Sequence, residues 1–106
     1  MSELDKLFAT IISRKGGDPS QSYTAKLLAA GVEKCAKKFG EEATETVIAA
    51  IQKDKTELAK ESADVLYHLL VLWAASGITP QDVYAVLQAR EAQSGLAEKA
   101  SRQGHH

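Results

Sequence analysis

Sulfur chemistry has little to work with in this chain. Cys35 is the single cysteine, so no internal disulfide can form, and no Cys/His spacing matches a zinc site. A lone cysteine is expected as a small buried apolar residue rather than as a nucleophile. Charge of one sign is also lacking: 13 basic residues against 14 acidic ones leave a net charge of -1. That balance argues against a general nucleic-acid binder, which is usually basic, and against a disordered acidic tail. Long apolar runs are lacking too. The longest, Val65 to Ala75, contains His68 and is too short to span a bilayer, so no membrane role is expected. The first residues, MSELDKLFATIISRK, lack the charged-then-apolar order of a secretion signal, and the chain reads as cytoplasmic. Proline is scarce and no segment shows sustained period-two alternation, so no sheet is expected.

What remains is helical. Leu4 to Ser13 carries apolar residues at 4, 7, 8, 11 and 12, an amphipathic helix. KGGDPSQ (15–21) reads as a loop. Ser22 caps a short helix, YTAKLLAA, which stops at Gly31. A longer helix runs from about Val32 to Gln52, with Gly40 inside it, where close approach of something to the backbone would suit a glycine. Asp54 and Glu57 form a capping-box-like start for a helix over 55–76, which Gly77 ends. Thr79-Pro80 starts another, with Pro at its first position. The expected fold is an all-α antiparallel bundle of four to five helices. Residues 1–93 form the domain and 94–106 a polar tail, in which the terminal GHH carries no assigned role. A chain of 106 residues buries a modest core alone, which favours sharing stability with a partner chain.

The chemistry concentrates in GEEATETVIAAIQKDKTELAKESAD (40–64). On a helical wheel at ~100° per residue, Glu42 lies at the edge of the apolar stripe and Glu45 beside it, while Glu41 points nearly away from the core. On the next helix Glu57, Glu61, Asp64 and His68 form one stripe. Glu42 and Glu45 stand as far before the 53–54 turn as Glu61 and Asp64 stand after it. Antiparallel packing therefore sets four carboxylates at one height. Repulsion and desolvation would raise their pKa values unless cations neutralise them. Oxygen-only ligands suit a hard cation, hence Mg²⁺ or Mn²⁺. A di-iron bundle would want Glu-x-x-His pairs, and here the residue three after Glu61 is Asp64. His68 itself is expected as a hydrogen-bonded core histidine. Against all this stands the plainer reading, that E-E-x-x-E is a solvated face and Lys38–Glu42 a simple i, i+4 pair.

Magnesium held by carboxylates keeps waters and shares its shell with substrate phosphates. Two such ions can activate a water and stabilise the oxygens that enter and leave at phosphorus. Lys34 and Lys38, on the Glu42 flank, can neutralise phosphate as point charges. Lys26 joins them if the 22–30 helix folds over the site. Ser22, Tyr23 and Thr24 offer hydroxyls and free N–H groups at a helix N-terminus. Each also has a plain role: Ser22 as a cap, Tyr23 as a half-buried aromatic, the lysines as solubilising charge.

Glu41, Glu42, Glu45, Glu61 and Asp64 resemble the E-E-x-x-E … E-x-x-D signature of the all-α nucleoside triphosphate pyrophosphatases, the MazG-like superfamily. The flanking segments SYTAKLLAAG (22–31), EKCAKKFGEEATETVIAA (33–50) and ESADVLYHLLVLWAASG (61–77) are similar to the phosphoribosyl-ATP pyrophosphohydrolase family. The resemblance covers about residues 4–93. It implies hydrolysis of phosphoribosyl-ATP to phosphoribosyl-AMP and pyrophosphate, the second step of histidine biosynthesis, with Mg²⁺ required. It implies metal ligation by Glu42, Glu45, Glu61 and Asp64, the four that the wheel sets together. It implies, too, a homodimer whose helices build a shared bundle. Glu41 is then a base or the holder of a further water. The alternatives are a housekeeping pyrophosphatase for abnormal nucleoside triphosphates, with the same metal site and another base pocket, and a helical dimerisation module that has no chemistry.

Overall fold

Helix boundaries in this chain follow its capping side chains. The computed structural model describes residues 2–92, so the polar tail expected over 94–106 lies outside the described residues. Among the described residues there are five α-helices and no strand: α1 (Glu3–Ser13), α2 (Tyr23–Ala30), α3 (Val32–Ile51), α4 (Lys55–Ser76) and α5 (Pro80–Ala92). Ser2 and Asp5 cap α1 reciprocally: Ser2 Oγ accepts from the Asp5 N–H at 3.1 Å, and the Ser2 N–H donates to Asp5 Oδ2 at 3.3 Å. Ser22 Oγ accepts from the Ala25 N–H at 3.1 Å and starts α2. Asp54 Oδ1 accepts from the Glu57 N–H at 3.0 Å and starts α4. Thr79 and Asp82 form a second reciprocal box ahead of α5, at 2.8 and 3.3 Å.

Gly31 both ends α2 and starts α3, at φ 98° and ψ 176°. That region is open essentially to glycine alone. Gly77 ends α4 in the left-handed region, φ 80°. Gly40, inside α3, has open space around the position a Cβ would take.

α3 and α4 form the long hairpin of the molecule, and α1 and α2 pack against it. The core lies towards one end of that hairpin. Ile11, Leu27, Cys35, Leu70, Val71 and Ala74 are buried there, flanked by Leu4, Leu7, Phe8, Leu28 and Trp73. Burial of each large aliphatic in this set contributes about 1.5–3 kcal/mol. Cys35 is fully buried, as expected, and its thiol donates to the Leu27 carbonyl at 3.3 Å; burial raises its pKa. α5 docks on α1 through Tyr84, whose hydroxyl donates to Asp5 Oδ1 at 3.2 Å.

The other end of the hairpin is bare. Val47, Ile48 and Ile51 stay exposed on α3, Ile51 at 74%. The burial expected on most sides of α4 from Val65 to Ala75 is found at His68, Leu70, Val71 and Ala74, while Leu66 remains exposed. Among the described residues nothing covers Val47, Ile48 and Ile51.

Candidate metal centre and adjoining cleft

Residues 52–54 reverse the chain between α3 and α4, with Lys53 in the left-handed region at φ 59°. Residues 46 and 61 face each other across the hairpin. The Thr46 hydroxyl lies 2.8 Å from the Glu42 carbonyl and 3.2 Å from the Glu61 carbonyl, and so ties the two helices where the acids sit. One carboxylate oxygen each from Glu42, Glu45 and Glu61 falls within 4.8 Å of the others. Asp64, which the sequence sets with them, is exposed and is not one of this trio. It stays close enough for its charge to raise the pKa of Glu42.

Glu61 and Glu42 carry the electrostatic signature of an unneutralised cluster. Burial raises Glu61 first, and the Glu45, Glu57 and Glu42 carboxylates raise it further, to about 7. Glu42 is raised by burial and by Glu45 and Asp64, against a hydrogen bond to Glu61 that lowers it. Glu61 Oε2 is buried without a hydrogen-bond partner. A buried carboxylate oxygen costs free energy unless something pairs with it. An all-oxygen donor set with an orphaned anionic atom fits a hard divalent cation. A cleft of ≈ 270 Å³ opens at this point, lined by Glu45, Ile48, Ala49, Gln52, Glu57 and Glu61. The sequence reading placed Glu57 on the right stripe but did not count it in the site. Its place four residues before Glu61 was the available signal.

Glu41 stands apart from the trio. It is exposed, and its Oε2 pairs with Lys38 Nζ at 3.4 Å. This is an i, i+3 pair in place of the expected Lys38–Glu42 pair. The hydrogen bond to Glu41 raises the pKa of Lys38.

Lys26 of α2 and Lys34 and Lys38 of α3 line one cleft of ≈ 220 Å³ with Tyr23, Leu27 and Ala30. Ser22 and Thr24 do not join them. Ser22 is engaged as the α2 cap. The Thr24 hydroxyl bonds that of Tyr67, which fastens α2 to α4. His68 sits between the two regions. It is buried at 6% exposure, but it is not the hydrogen-bonded histidine expected, because Nδ1 has no partner. Its ring is held by packing instead, edge-on to Tyr67 at 5.0 Å and to Tyr23 at 6.2 Å. Burial lowers its pKa, Lys38 lowers it too, and Asp64 and Glu41 act against them.

A helical hairpin that sets carboxylates from both arms against one another, beside a lysine-lined cleft, defines an all-α protein with a carboxylate cluster suited to cations and a basic cleft suited to anions. Comparison with known proteins gives the family. The family model for phosphoribosyl-ATP pyrophosphohydrolase matches residues 4–91, and the chain belongs to that family. It is 60% identical to the phosphoribosyl-ATP pyrophosphatase of Cereibacter sphaeroides over 102 residues, 96% of this chain and 99% of the relative. It is 61% identical to the protein so named in Parvibaculum lavamentivorans, over 95% of this chain and 93% of that one. With the one from Azospirillum brasilense the identity is 57%, over 93% and 89%.

No single described helix is long and apolar enough to cross a membrane.

Proposed function

We propose that this chain hydrolyses phosphoribosyl-ATP to phosphoribosyl-AMP and pyrophosphate with Mg²⁺, the histidine-biosynthesis step of its family, and does so in the cytoplasm. The observation that carries the reading at the level of the site is the acidic trio with its unpartnered Glu61 oxygen. Nearly full-length identity to the named relatives supports the substrate.

Glu42, Glu45 and Glu61 would hold the cation, with Asp64 completing the set from the same face of α4. Bound there, Mg²⁺ or Mn²⁺ supplies Lewis-acid polarisation of a phosphate oxygen and lowers the pKa of a water. The chain does the rest. The Thr46 hydroxyl fixes the spacing of the two acidic arms. Glu41, outside the trio and paired with Lys38, is assigned the holding of a further water or the acceptance of its proton. Lys26, Lys34 and Lys38 are the cations available to substrate phosphate. Two copies would pair through the bare faces of α3 and α4, where Val47, Ile48, Ile51 and Leu66 are exposed.

The test is pyrophosphate release by the purified protein with Mg²⁺. Phosphoribosyl-ATP is compared with ATP and dCTP. Release from phosphoribosyl-ATP, at least tenfold faster than from either nucleotide and abolished by EDTA, is the expected result. Release chiefly from the simple nucleotides would assign a nucleotide-clearing role. Release from none would leave the acids without chemistry.

A further inference from the structure

We propose that the cleft of Tyr23, Lys26, Lys34 and Lys38 binds the monoester phosphate of the phosphoribosyl group, at the opposite end of the substrate from the triphosphate. The inference rests on the function proposed above and says how the site tells its substrate from a plain nucleoside triphosphate.

Phosphoribosyl-ATP carries anions at two ends, with a nucleoside between them. The carboxylate cluster repels phosphate unless cations intervene, so it serves the end where the ions go. The other end is a dianion in its own right and needs positive charge of its own. Lys38 stands one helical turn before Glu42. Lys34 stands two turns before it, about 12 Å along the axis. Lys26 reaches the same cleft from α2. Among the described residues Lys26 and Lys34 have no carboxylate partner, so their charge is available to a ligand. Lys38, half-buried and held by Glu41, marks the side of the cleft nearer the acids.

One wall of the cleft is aromatic. Tyr23 lines the cleft at 50% exposure and meets the buried His68 ring edge-on, 86° between planes. His68 feels Asp64 on the acidic side and Lys38 on the basic side. An exposed aromatic held in place by a buried one offers a face to a purine. Acids, ring and lysines thus supply one partner each for triphosphate, base and monoester. Lysines act as point charges and suit a terminal phosphate that must also leave with the product.

The experiment compares phosphoribosyl-ATP with its N1-ribosyl analogue, which lacks only the monoester phosphate. Wild type and the double variant Lys26→Gln/Lys34→Gln are each assayed for kcat/KM, with Mg²⁺ present. Wild type should prefer the phosphorylated substrate by on the order of tenfold or more, mainly through KM. In the double variant that preference should fall towards unity. Thermal unfolding of both proteins checks that the fold is kept, and a single Lys34→Gln variant, expected to lose part of the preference, stands in if the double variant does not fold. A preference that persists in the variants overturns the inference, as does equal loss on both substrates, which would place the lysines at the triphosphate. Equal rates on both substrates in wild type overturn it while leaving the proposed function standing. No hydrolysis of either substrate by wild type overturns both.

Discussion

Glu61→Gln is expected to lower Mg²⁺-dependent pyrophosphate release by roughly 100-fold or more, and to raise the thermal stability of the cation-free chain. The two effects have one origin. Glu61 sits against Glu45, Glu57 and Glu42, and its Oε2 is buried without a partner. Without a cation at neutral pH that arrangement costs free energy, through desolvation and like-charge repulsion. The amide keeps the shape, removes the charge and can donate to a neighbouring carboxylate. Its neutral oxygen is a weaker ligand for a hard cation than the carboxylate it replaces. Unfolding followed by circular dichroism in EDTA, beside a steady-state assay in Mg²⁺, separates the cases. A variant that stays active and unfolds earlier in EDTA would mean that Glu61 is a structural residue.

Mg²⁺ should stabilise the protein strongly at pH 8 and hardly at all at pH 5. Glu61 titrates near 4.5 when exposed and at about 7 in the fold, and Glu42 is shifted in the same direction. Between those values the folded chain binds more protons than the unfolded one, so cation-free stability falls as pH rises. With respect to these groups the fold is most favourable below about 4.5, and the loss is complete for Glu61 above about 7. A cation reverses the trend because it needs the deprotonated oxygens. A ligand at a hundredfold excess over its Kd adds about 2.7 kcal/mol. For a domain of this size that moves the unfolding midpoint by roughly 10 °C or more. Midpoints in Mg²⁺ and in EDTA across pH 4.5–8 should diverge with rising pH. Curves that stay parallel would remove the cation from the trio.

The parts of the fold that were legible in the sequence are those fixed by local chemistry. Ser22, Asp54, Gly31 and Gly77 mark helix ends because their side chains, or the lack of one, settle backbone geometry on the spot. The acidic trio was legible because helical spacing and a short turn suffice to set Glu42, Glu45 and Glu61 at one height. A wheel gives direction and not reach, however. Asp64 has one methylene fewer than a glutamate, and its exposed carboxylate stays outside the trio. Rotamer choice decided that Lys38 pairs with Glu41. The left-handed Lys53 had no sequence signal, since glycine or asparagine is the usual occupant of that region. The missing partner of His68 Nδ1 depends on α2 packing its Tyr23 there, a tertiary event beyond the reach of periodicity.

The turn at 52–54 has a kinetic consequence. Glu42 and Glu61 are only 19 positions apart, on two arms that meet by closing one short loop, whereas α1 reaches α4 across most of the chain. Contacts that are close in sequence form early. On that ground the acids are expected to come together as the α3–α4 hairpin forms, ahead of the docking of α1 on α4. Refolding in EDTA at neutral pH has to gather like charges as that hairpin forms, and Mg²⁺ should speed refolding as well as slow unfolding. A stopped-flow trace in which Mg²⁺ changes only the unfolding rate would place the gathering of the acids late.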